Sequence, residues 1–295
     1  MSGRVDHAGN ALSLRAMIAP CHLCPRDCGV DRPAGERGLC GAGEKAPVAS
    51  SGPHFGEEAC LVGRGGSGTL FLGGCNLQCV FCQNVDISHY PMGTERTPDE
   101  IARLMLRLQA AGCENVNLVT PTHVAHALAE AIVAARREGL AVPVVWNSSA
   151  YEKPEMLRHL EGLVDIYMPD VKFARAATAD RYCRAPDYPE VARAAVGEMH
   201  RQVGDLAIDR GLARRGLLVR HLVMPGGEEE SREVLDLLAA LSPDTFVNVM
   251  GQYRPAGRVR PGGAWPELER RPDPAEVAAV RGYALDLGLR LDERP

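Results

Sequence analysis

Aromatic side chains are scarce: Phe, Trp and Tyr make up 5% of the 295 residues. Stacking platforms for nucleic-acid bases are therefore few. There is no basic excess either, with a formal net charge of -5 and a pI of about 6.0. A nucleic-acid footprint would be basic and patchy, and the short pairs Arg136-Arg137, Arg214-Arg215 and Arg270-Arg271 read as solvated surface. No run approaches the roughly 18–20 apolar residues of a membrane span. Residues 1–20 are broken by Arg4, Asp6, His7 and Arg15 and lack the apolar core of a signal peptide. These absences predict no nucleic-acid partner, no membrane and a cytoplasmic location. No H-E-x-x-H helix is present, which argues against a zinc hydrolase.

Cysteine, by contrast, is abundant, with ten in the chain. Without an export signal, they point to metal or redox chemistry rather than disulfides. Cys75, Cys79 and Cys82 are spaced C-x3-C-x2-C, directly after an apolar run that ends in Gly73 and Gly74. That run reads as a buried strand, so the cysteines leave its end on a loop that can fold three thiolates around one centre. A closed structural site takes four ligands, whereas three leave a position open. Cubane iron–sulfur clusters usually have four cysteine ligands, so one held by three would expose an iron to a substrate or cofactor. Core packing and a catalytic zinc site are the alternatives.

A second group, Cys21, Cys24, Cys28 and Cys40, is spaced C-x2-C-x3-C-x11-C in a stretch with few apolar residues. A segment without a core needs a staple. Either a zinc ion or a fully ligated 4Fe–4S cluster would serve, and spacing does not separate them. Cys60 reads as structural, and His54 is a weak ligand candidate.

From Gly68 onward, strand-like runs (69–72, 116–119, 142–146, 164–168, 217–223, 246–250) alternate with helical ones (98–111, 124–138, 153–160, 188–210, 229–241), and a helix at 274–286 closes the chain. Strands rich in Val, Ile and Leu without alternation predict burial on both faces. Repeated β-then-α units predict a parallel sheet with right-handed crossovers. Six units fall short of a closed TIM barrel, so the expected fold is α/β, a partial (β/α)6 barrel. The expected divisions are a four-cysteine module at 1–50, a linker at 51–66, the barrel at 67–271 and a C-terminal helix at 272–295. Ligands in such folds sit at the carboxyl ends of the strands. Five of the six ends are polar, among them Asn147-Ser148 and Asp170-Val171-Lys172.

Cys75, Cys79 and Cys82, with Phe81 before the last, resemble the signature of the radical S-adenosylmethionine (radical SAM) superfamily. Residues 50–271 are similar to an uncharacterised radical SAM family related to the activators of pyruvate formate-lyase. The matching runs are Gly52-Pro53-His54-Phe55-Gly56-Glu57-Glu58, Phe81-Cys82-Gln83-Asn84, 115–123, 165–172 and 220–226. The segment from Cys21 to Cys40 resembles that family's N-terminal module. The resemblance implies a 4Fe–4S cluster on Cys75, Cys79 and Cys82, with SAM chelating its open iron, and hydrogen abstraction by a 5′-deoxyadenosyl radical. It places Phe81, Asn147, Ser148, Asp170, Lys172 and Arg220 at the cofactor. In the activators a Gly-Gly-Glu triplet contacts the methionyl amine; here the triplet is Gly112-Cys113-Glu114, and Glu114 takes that expectation. An electron donor such as flavodoxin or ferredoxin is implied, with a glycyl radical enzyme as one protein substrate. A reading from a different class is a metal-binding adaptor with a degenerate barrel, for which the cysteine in the triplet is the best support.

Overall fold

A computed structural model describes residues 6–90 and 92–292. Residues 1–5 of the expected lead-in, Pro91, and residues 293–295 of the expected C-terminal segment lie outside the described residues. The strands are β1 (Ala46–His54), β2 (Ser67–Leu72), β3 (Thr94–Arg96), β4 (Asn115–Val119), β5 (Val144–Ser148), β6 (Ile166–Pro169), β7 (Ala207–Asp209), β8 (Leu212–Leu222), β9 (Phe246–Met250) and β10 (Arg290–Leu291). They form one sheet in the order β10-β9-β8-β6-β5-β4-β2-β1-β3, with β7 added beside β8. All six expected strands are present, and β2, β4, β5, β6, β8 and β9 run parallel. The path ends at β10 and β3 without closing, so the fold is the expected α/β partial barrel.

Leu70, Val116, Leu118, Val144, Val145 and Ile166 are fully enclosed, as strands covered on both faces require. Helix Pro98–Ala110 packs on β2 and β4 and on helix Ala125–Arg137, which in turn carries helix His7–Ala16. A capping box starts the first of these: Glu100 N donates to Thr97 Oγ1, and Thr97 N donates to Glu100 Oε2 at 2.8 Å.

Four segments differ from expectation. The loosely helical lead-in is a defined helix, His7–Ala16, capped by Asp6, which accepts the Gly9 N–H at 3.0 Å. The expected linker at 51–66 begins inside β1, which pairs antiparallel with both β2 and β3. Serine, glycine and proline read as a loop, but residues 50–54 pair with β2 along one edge, and an edge segment tolerates proline. The expected helix at 188–210 stops at Val203. Gly204 takes φ 71 there, and a tight turn through Arg210 and Gly211, both at positive φ, then joins β7 to β8. Helix Ala176–Cys183 is additional, ended by Arg184 at φ 51.

Candidate active site

β2 ends at Leu72, and the chain turns through Gly73 and Gly74 into the cysteine loop. Gly74 has φ 83, and a Cβ there would lie 2.3 Å from the Cys40 carbonyl oxygen, so glycine is required twice over. Phe81 fixes the far side of the loop. Its ring meets those of Phe173, Tyr182 and Tyr253 edge-on, with centroids 6.1, 6.2 and 6.1 Å away. Val80 donates its N–H to the Tyr182 carbonyl at 2.9 Å, and its own carbonyl accepts the Arg258 N–H at 2.7 Å. Asn76 is buried and donates Nδ2–H to the Tyr151 carbonyl at 2.8 Å.

Cys75 and Cys79 are buried and Cys82 is half-buried. Burial pushes the Cys75 thiol up to about 12 and raises Cys82. The Cys79 thiol is raised first by its contact with Cys183, whose Sγ lies 3.3 Å away, and then by burial. All three hold their protons until a metal displaces them, since thiolates are the ligands. The loop bounds one side of a cavity of about 320 Å³. Phe81 belongs to the loop, and Asn147, Ser148, Asp170, Lys172 and Arg220 line the other sides, so sequence-based site residues from three strands, β5, β6 and β8, and the loop share one space.

The charged groups in that space form a chain of contacts. Lys172 Nζ donates to Asp170 Oδ2 at 2.7 Å, and Arg220 Nε donates to Asp170 Oδ1 at 2.6 Å. Arg220 Nη2 donates to Asn147 Oδ1 at 2.7 Å. Burial alone would raise the Asp170 carboxyl, but Arg220 and Lys172 outweigh it and hold it at about 2. Lys172 stays charged for the reciprocal reason: burial works against the ammonium, and Asp170 overrides it. Asp170 and Lys172 are 20% and 14% exposed, so they are an enclosed pair rather than a strand-end ion pair in solvent.

Three contributors escape the sequence reading. Glu57 and Glu58, from the segment that reads as linker, are buried and reach Arg220 Nη1 at 3.5 and 4.0 Å. Glu58 also accepts from Asn248 at 2.9 Å. Glu152 is fully buried and receives Ser148 Oγ–H at 2.9 Å, Thr122 Oγ1–H at 2.9 Å and Trp146 Nε1–H at 2.8 Å. Glu57 and Glu58 do stand in the 52–58 run; Glu152 carries no local signal.

Glu114 is a correction. It precedes β4 and so stands at the amino ends of the strands, away from the cavity. Its Oε1 accepts the backbone N–H of Arg64 at 3.1 Å and of Gly65 at 3.4 Å, which makes it a loop support rather than a cofactor contact. His54 pairs with Glu57 at 3.2 Å. Cys60 packs in a small core with Leu61, Val145 and Ile166, as its structural reading expects.

Cys21, Cys24 and Cys40 are buried and Cys28 is exposed. Burial first, and the other three thiols after it, raise Cys24 to about 12. The module is fastened to the cysteine loop. Arg26 Nε donates to the Asn76 carbonyl at 2.8 Å, and Gln78 Nε2 donates to the Leu39 carbonyl at 2.7 Å. Among the described residues no group of three or more His, Cys, Asp or Glu side chains is arranged to hold a single metal ion. A cubane is a larger guest, whose thiolates stand further apart.

The chain matches the Radical SAM superfamily over residues 69–239. It is 31% identical to the uncharacterised protein MJ0674 of Methanocaldococcus jannaschii, over 94% of this chain and 80% of that one. It is 29% identical to the uncharacterised protein MJ0808 of the same organism, over 56% of this chain and 52% of that one. Among solved structures, SuiB of Streptococcus suis bound to S-adenosylmethionine aligns with a TM-score of 0.45 at 11% identity, over 74% of this chain and 44% of that one. The cobalamin-dependent radical enzyme OxsB aligns with a TM-score of 0.43 at 12% identity, over 75% of this chain and 31% of that one. Both structural likenesses are too loose to carry a residue role across. On the family match, which spans the strands and the cysteine loop alike, the chain belongs to the radical SAM superfamily.

Proposed function

We propose that the chain is an enzyme that holds a 4Fe–4S cluster on Cys75, Cys79 and Cys82 and binds SAM between that cluster and the strand ends. One observation carries the reading: the three cysteines and the Asp170, Lys172 and Arg220 network line the same cavity. The residues fit both guests. Three thiols leave one iron without a protein ligand, and an enclosed ammonium suits the methionyl carboxylate. When bound and reduced, the cluster supplies the electron that splits the C5′–S bond of SAM, giving methionine and the radical that takes a hydrogen atom from a substrate.

The chain's own groups set the geometry. Lys172 offers a positive charge whose position Asp170 fixes. Asn147 gives its Oδ1 to Arg220, so its amide N–H groups face the cavity as donors to a hydroxyl or carboxylate. Ser148 donates its proton to Glu152 and so presents an acceptor. Leu72, Phe81, Ile87 and Leu222 supply apolar wall that excludes water. A second cavity of about 330 Å³ shares Lys172 and Leu222 with the first, and gives a substrate room beside the cofactor.

A glycyl radical enzyme is the substrate that the family resemblance favours, and a flavodoxin or ferredoxin is the fitting electron donor. An abundance of cysteine, ten in the chain, suits a reducing compartment such as the cytoplasm. Electron paramagnetic resonance of the reduced, reconstituted protein tests the SAM site. SAM should change the cluster signal in the wild type and far less in Lys172→Met. A wild-type signal unmoved by saturating SAM would rule out binding at the open iron.

A further inference from the structure

Arg32 is an anomaly at the seam between the N-terminal module and the barrel. It is 2% exposed. Its Nη1 donates to the His123 carbonyl at 2.6 Å, and its Nε has no hydrogen-bond partner. Among the described residues no carboxylate pairs with it. The nearby side chains His123 and His126 are fully buried and bring no negative charge; each leaves its Nδ1 without a partner. A buried guanidinium with no counter-charge is strongly unfavourable. The remaining contact is Arg32 Nη2 to Cys40 Sγ at 3.7 Å. A neutral thiol does not balance the charge, whereas a metal centre held by four thiolates is anionic and does.

The same seam joins the two cysteine sets. Gly74, beside Cys75, packs so closely on Cys40 that a Cβ would lie 2.3 Å from its carbonyl oxygen. That contact sets the chain carrying Cys40 against the chain carrying Cys75, as a carrier passing electrons between the two sets requires.

We propose that Cys21, Cys24, Cys28 and Cys40 bind a second, fully thiolate-ligated iron–sulfur cluster, with Arg32 as its buried counter-ion, and that it relays electrons to the cluster at Cys75, Cys79 and Cys82. A reduced flavodoxin gives one electron to the second cluster. That cluster returns to its oxidised state as the first becomes reduced, with no proton or bond exchanged. The site stands independently of the SAM reading, and the relay rests on it.

Anaerobic reconstitution of the full-length Cys75→Ala/Cys79→Ala/Cys82→Ala variant tests the site alone. It should retain about four irons and four sulfides per chain, lost when Cys21→Ala and Cys24→Ala are added. One zinc without sulfide, or no metal, would overturn the proposal whatever the SAM chemistry does. Arg32→Met gives a second readout. The second cluster should titrate at a lower potential, because a cation beside it favours the added electron; an unchanged potential contradicts the counter-ion role. For the relay, Cys21→Ala should lose flavodoxin-driven 5′-deoxyadenosine formation and keep the dithionite-driven reaction. Equal flavodoxin-driven rates in variant and wild type would refute it.

Discussion

Arg220 Nε lies 2.6 Å from Asp170 Oδ1, and this contact ties β8 to the end of β6 across the candidate cofactor cavity. Asp170→Asn would leave two enclosed cations facing each other. Breaking one side of a buried pair costs about 3 kcal/mol or more, so urea unfolding should show that loss together with weaker SAM binding. The sign with pH follows from the depressed carboxyl. Its contribution is complete above the ordinary carboxylate range and lost as pH falls towards about 2. An Asp170→Asn protein as stable as wild type would show that the pair merely breaks even.

Glu152 acts on the cavity through Ser148, whose hydroxyl it receives at 2.9 Å. Glu152→Gln puts an amide N–H where an acceptor stood and turns the serine proton towards the cavity. SAM affinity should fall about tenfold, the equivalent of one hydrogen bond. Ser148→Ala should lose a similar amount, and the double variant little more than either single one. Additive losses by calorimetry would mean that the two residues act separately.

Gly74→Ala tests the seam between the two cysteine sets. The positive φ and the Cys40 carbonyl at 2.3 Å from the added Cβ both oppose alanine. A loss of about 2 kcal/mol or more in thermal or urea unfolding is expected, with reduced iron loading. Gly52→Ala is the control, since nothing lies within 4 Å of its Cβ position. Equal melting and iron content in the two variants would contradict the packing described.

Burial holds His123, His126 and His221 down at about 4, so all three are neutral in the folded chain at pH 7. The unfolded chain protonates them near the ordinary histidine value. Stability is therefore complete above that value and lost as pH falls from it towards about 4. Between pH 7 and 5 each should remove roughly 1–2 kcal/mol. A flat unfolding free energy across that interval would show that these rings take up protons in the folded state.

The sequence makes the six parallel strands legible because runs of Val, Ile and Leu between helical periods survive any reading of their ends. The cysteine loop and the strand-end residues Asn147, Asp170 and Lys172 follow from the same geometry. Glu114 shows where this stops. It stands one residue before β4, and which end of a strand a residue occupies depends on where pairing begins. Glu57 and Glu58 are masked by a segment whose Ser, Gly and Pro content reads as loop, although its first residues pair with β2 as far as His54. Glu152 has no periodic or motif signal. Its role comes from Thr122, Trp146 and Ser148, which the fold alone brings together.

Cleavage of SAM at the open site on Cys75, Cys79 and Cys82 is the activity proposed for the chain. Wild-type protein, reconstituted and reduced without oxygen, should convert SAM to 5′-deoxyadenosine and methionine in equal amounts, while Cys79→Ala should form none. No 5′-deoxyadenosine from fully loaded, fully reduced wild type would contradict it.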